Sequence, residues 1–64
     1  MADPTPRQLE VFEAVCRLGS QKAAAHALGM SVRGVEDTLT RMYRRMGVKG
    51  MGQAAYAIWG QRVA

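Results

Sequence analysis

Sixty-four residues with a net charge of +4 and a pI near 10.0 make one domain and leave no room for a second. A domain of about 60 residues buries only roughly 60% of the surface its unfolded chain exposes, so a partner subunit would help it. A single cysteine, Cys16, excludes an internal disulfide, no apolar run approaches the roughly 20 residues needed to span a bilayer, and the start lacks the basic and apolar regions of a signal peptide. The expectation is one soluble domain over residues 1–64 in a reducing, intracellular compartment, with Cys16 a buried thiol among apolar neighbours. Up to residue 30, Arg7, Arg17 and Lys22 balance Asp3, Glu10 and Glu13. The whole excess lies beyond, where Arg33, Arg41, Arg44, Arg45, Lys49 and Arg62 face only Glu36 and Asp37. A basic second half suits a polyanion such as nucleic acid, and a solvated helix face is the plainer alternative.

Thr5-Pro6 opens the first helix. Thr5 can accept from a backbone N–H three residues on, Pro6 suits the first helical position, and Gln8 completes a Thr-x-x-Gln capping box. This helix is expected over residues 6–18, ended by Gly19, with Val11, Phe12, Val15, Cys16 and Leu18 on a broad apolar arc and Glu10, Glu13 and Arg17 outside it. Ser20 caps a second helix over 21–28, in which Ala24, Ala25 and Leu28 sit inward and small side chains permit close helix approach. Gly29-Met30-Ser31 is the turn: Gly29 tolerates positive φ, Met30 can plug the core, and Ser31 caps the next helix. Such a short connection containing glycine is what a helix-turn-helix requires.

The third helix, 32–46, organises the chain. Val35, Leu39, Met42 and Met46 recur at helical spacing and fall in one stripe, while Arg33, Asp37, Thr40, Arg41 and Arg44 cluster on the other side. Gly47 stops it, residues 48–52 read as a glycine-rich loop anchored by Val48, and a last helix is expected over 53–62. Ala54, Ala55, Tyr56, Ala57, Ile58, Trp59 and Val63 spread around that last helix with Arg62 its only charge. A helix apolar all round must be covered on both sides, and in so small a chain the second cover is expected to be another protein, met by Tyr56, Trp59 and Val63. The plainer reading is that Tyr56 or Trp59 caps the edge of a small core. With no strand-like alternation, the fold expected is all-α with four helices.

Little in the chain points to catalysis. His26 is the one histidine, there is no Cys-x-x-Cys pair, and Glu36 and Asp37, being adjacent, diverge in direction on a helix. Met1, Met30, Met42, Met46 and Met51 read as flexible core filler rather than a ligand set. No enzyme activity, cofactor, metal or small-molecule ligand is expected.

Thr5-Pro6-Arg7-Gln8, Glu10-Val11-Phe12, Ser20-Gln21-Lys22, Ala25, Leu28-Gly29-Met30-Ser31, Val35, Met42, Met46-Gly47-Val48 and Gln53-Ala54 resemble, in order and spacing, the LuxR/GerE-type helix-turn-helix DNA-binding domain. That module closes many bacterial response regulators and quorum-sensing regulators and also occurs as small stand-alone proteins. The resemblance implies a transcriptional regulator on double-stranded DNA, cytoplasmic and nucleoid-associated, with the third helix in the major groove and a homodimer contact through the last helix. By position it implies base reading by Glu36, Asp37 and Thr40 with Arg41 close by, and backbone contacts by Lys22, Ser31, Arg33, Thr38, Arg44 and Lys49. The chain departs from that pattern at Gly34, where threonine is usual, at Glu36-Asp37-Thr38, where lysine, a variable residue and histidine are usual, and at Ala23-Ala24, where glutamate and isoleucine are usual. Two adjacent carboxylates repel a groove lined by phosphates. They keep a second reading open, in which the fold serves as a protein-interaction module for another transcription factor or RNA polymerase.

Overall fold

The computed structural model describes residues 2–60. Four helices run in order, α1 (Pro6–Leu18), α2 (Gln21–Leu28), α3 (Val32–Met46) and α4 (Met51–Trp59), with no strand among the described residues. The first three begin and end where local chemistry puts them. Thr5 Oγ1 accepts from Gln8 N–H at 3.1 Å while Gln8 Oε1 accepts from Thr5 N–H at 3.0 Å, the reciprocal capping box. Ser20 Oγ accepts from Ala23 N–H at 3.0 Å, and Ser31 Oγ from Gly34 N–H at 2.9 Å. Between α2 and α3, Gly29 takes φ +67°, which a side chain would strain, and Met30 N–H donates back to Ala25 C=O at 2.8 Å.

These caps orient the apolar stripes toward one core. Val11, Phe12, Ala14 and Val15 of α1 meet Ala24 and Ala25 of α2, Val35, Leu39 and Met42 of α3, and Ala54 of α4. The two alanines of α2 are at most 3% exposed, so short side chains let α2 lie close to its neighbours. Phe12 is the hub. It stacks on Trp59 with ring centroids 5.4 Å apart and meets the edge of Tyr43 at 6.5 Å, joining α1 to α3 and α4. Burying Phe12, Met42, Val11 and Val35 contributes about 1.5–3 kcal/mol each.

Two expectations need correcting. Cys16 is exposed, because its place on α1 lies beyond the arc set by Val11, Phe12 and Val15; Leu18, at the end of the same helix, is 43% exposed. The last helix starts at Met51 rather than Gln53. Gly50 serves as N-cap, its C=O accepting from Ala54 N–H at 3.0 Å, and Gln53 Oε1 reaches back to Lys49 N–H at 2.9 Å, so Gly52 falls in a first turn whose amides need no partner within the helix. The helix ends at Trp59, and the expected continuation to Arg62 lies outside the described residues. On α4, Ala54 is buried and Ala55, Ile58 and Trp59 are half-buried, while Met51, Gly52, Gln53, Tyr56 and Ala57 are exposed, so apolar side chains stand on its outward side as well.

Candidate nucleic-acid interface

Packing Val35, Leu39 and Met42 inward turns the opposite side of α3 to solvent, and Arg33, Glu36, Asp37, Thr40, Arg41 and Arg44 are all exposed there. Lys22, in the first turn of α2, and Lys49, between α3 and α4, are exposed as well. At the start of α3, Ser31 uses an oxygen lone pair to cap Gly34 N–H, which leaves its hydroxyl proton available to a phosphate oxygen. Thr38 differs. Its hydroxyl donates to Gly34 C=O at 2.8 Å and the side chain is part-buried, so its one proton is engaged within the helix. A phosphate contact from the Thr38 hydroxyl would have to displace that bond.

The charges on this face are not independent. Arg33 Nε lies 3.9 Å from Asp37 Oδ1, one helical turn on, with the two side chains 86% and 60% exposed. Residues assigned to phosphate and to bases thus partly neutralise each other. Arg45 has a role that its place in the sequence does not disclose: its Nε donates to Asp3 C=O, and its own C=O accepts from Ala2 N–H at 2.9 Å. Arg45 ties the leading segment to the end of α3, a contact across 42 positions with no local signal.

Of the residues expected at a dimer contact, Tyr56 is 68% exposed, Trp59 is turned inward onto Phe12, and Val63 lies outside the described residues. Trp59 is half-buried at the edge of the core, where α4 packs on α3 with that side chain over the Phe12 ring. The Tyr56 ring lies over Gly60, where a Cβ would come within 2.5 Å of it. Away from this face, desolvation followed by the charge of Glu13 pushes the Cys16 thiol above its ordinary pKa, and desolvation followed by Cys16 does the same to the Tyr43 phenol. His26 is exposed, and among the described residues no group of three His, Cys, Asp or Glu side chains could hold a metal ion. No described helix is long and apolar enough to cross a membrane.

A family model for bacterial regulatory helix-turn-helix proteins of the LysR family matches residues 6–49, from the start of α1 through α3 to Lys49. No curated protein and no solved structure matches the chain. The match overturns the resemblance to the LuxR/GerE type. The residues that carried that resemblance, such as the cap Ser20, the small Ala25, the turn Gly29 and the core Val35, meet the physical needs of any helix-turn-helix, so they do not separate one family from another. The match covers more than half of the chain, which belongs to the LysR family of bacterial regulatory helix-turn-helix proteins, DNA-binding regulators of transcription.

Proposed function

We propose that the chain recognises specific duplex sequences by inserting the first turns of α3 into the major groove. The observation that carries this reading is the capped start of α3, where Ser31, Arg33, Glu36, Asp37 and Thr40 stand exposed on the side turned from the core. Arg33, Arg44, Lys22 and Lys49 neutralise phosphates and Ser31 donates to a phosphate oxygen, fixing register without reading sequence. Glu36 and Asp37 accept hydrogen bonds from base edges, with cytosine N4 the favoured donor, and Thr40 and Arg41 extend the reading surface. Two copies, joined through the outward side of α4 around Tyr56, would read half-sites about 34 Å apart.

The test is selection from a random duplex pool at two salt concentrations, with sequencing of the bound fraction. Enrichment of a two-fold symmetric motif, with binding weakened by salt, is the expected result; no enrichment by a folded protein would refute autonomous reading. The exposure of Tyr56 on α4 and the Arg33–Asp37 ion pair on α3 also favour a second reading, in which the domain docks on another regulator or on RNA polymerase. A protein that stays monomeric and retains neither in a pull-down rules that reading out.

A further inference from the structure

Val32 is the one exposed large apolar side chain of α3, at 40%. Its neighbours in sequence explain why it stands out. Leu28 and Met30 before it pack against the core, and Val35, Leu39 and Met42 after it are at most 2% exposed, yet Val32 is not among the side chains packed there. Helix chemistry gives it no reason either. At the first position after the N-cap, acidic residues and proline are the favoured choices, and a β-branched residue brings no propensity gain. What remains is its setting. It lies between the Ser31 cap and the exposed Arg33, with Glu36 one turn on and Thr40 one turn beyond that along the same flank.

We infer that Val32 is a base-reading residue whose isopropyl group meets the 5-methyl group of a thymine in the major groove. This rests on the reading of α3 as the groove helix. Residues at the start of such a helix contact base edges, and the thymine methyl is the one apolar mark in the groove that an aliphatic side chain can distinguish. Four residues of helix rise about 6 Å, against about 3.4 Å per base step, so the thymine lies about two steps from the base that Glu36 contacts. Val32 and Glu36 together would then favour a half-site holding a thymine and a cytosine at that separation.

The test replaces each thymine of a selected duplex, one at a time, by deoxyuridine, which removes only the methyl group. For the wild-type chain, one replacement is expected to weaken binding about three- to five-fold, the equivalent of one buried methyl. In V32A that penalty disappears while the other replacements behave as before, and V32I retains it; because the side chain is exposed, these variants are expected to fold. E36Q, which exchanges a cytosine reader for an adenine reader, locates the second base. Equal uridine penalties in wild type and V32A would overturn the role of Val32 and leave groove reading intact. A thymine far from the Glu36 base would overturn it equally. Failure to select any duplex would strike the underlying reading of α3 as well.

Discussion

Replacing Asp37 by Asn separates the electrostatics of α3 from its stability. At 3.9 Å in bulk water, two unit charges attract by about 1 kcal/mol. Salt and side-chain entropy reduce exposed pairs at this helical spacing to about 0.3–0.5 kcal/mol, and these two side chains are 86% and 60% exposed. The folded state therefore loses only a few tenths of a kcal/mol in D37N. On DNA the proposed placement of α3 in the groove makes the effect larger and of opposite sign, because a carboxylate facing the phosphates would be removed and Arg33 released to one of them. One more phosphate neutralised steepens the log–log salt slope by about 0.9, and relief of roughly 1 kcal/mol of repulsion tightens binding to random duplex about five-fold at low salt. Fluorescence anisotropy with a labelled random-sequence duplex over a series of sodium chloride concentrations measures both. A slope and affinity unchanged from wild type would refute the claim that Asp37 restrains Arg33 and faces the phosphates, and R33Q should abolish most of the gain.

Other perturbations test other parts. G34A gains less than the ~1 kcal/mol that alanine offers over glycine, because the new Cβ would sit 3.2 Å from Ser31 Oγ, the capping atom; a full gain in thermal unfolding would show that the cap yields freely. R45A removes the side-chain tie to Asp3 but leaves the Ala2 N–H bond to the residue 45 carbonyl, and costs no more than about 1 kcal/mol by thermal unfolding, while weakening random-duplex binding less than R44A does; equal losses of affinity would place Arg45 on DNA. Cys16 and Tyr43 hold their protons to higher pH when folded than when unfolded, so the folded state binds more protons and stability falls as pH rises past about 8.5 for the thiol and about 10 for the phenol. The stability loss near the thiol range should vanish in C16A, and alkylation of exposed Cys16 by iodoacetamide at pH 8 should run slower than in denaturant; equal rates would contradict the shift. F12A removes the ring joining α1, α3 and α4 at a cost of about 3–5 kcal/mol, much of what a chain this small can have, so loss of the Trp59 fluorescence transition is expected and retention of a sharp one would count against the hub.

Where local chemistry decides, the sequence was a good guide. Thr5 and Gln8, Ser20, Gly29 and Ser31 punctuate the chain through contacts within a few residues, and the Val35, Leu39, Met42 stripe needs only the helical period. The failures are of other kinds. Gly50 and Gly52 look like loop residues until Gln53 is seen reaching back to the Lys49 N–H just ahead of the helix, which starts without a side-chain cap. Cys16 sits next to buried Val15, and only the packing of α2 and α3 decides which edge of α1 is covered. Trp59 on Phe12 and Arg45 on Asp3 are contacts across the chain that no window reports. The LuxR/GerE resemblance fails for a different reason: caps, small residues and turn glycines are demanded by helix-turn-helix geometry itself, and they carry little information about lineage. At the candidate interface the exposed set on α3 is legible from the stripe, whereas the bond from the Thr38 hydroxyl to Gly34 and the exposure of Val32 required coordinates.

The most direct test of α3 as the reading helix is an amide-shift titration of isotopically labelled protein with a selected duplex. The largest perturbations are expected at residues 31–41 and at Lys22, salt-sensitive in affinity, with small ones on the outward side of α4. Perturbations centred on Gln53, Tyr56 and Ala57, with the start of α3 unmoved, would contradict a reading role for α3.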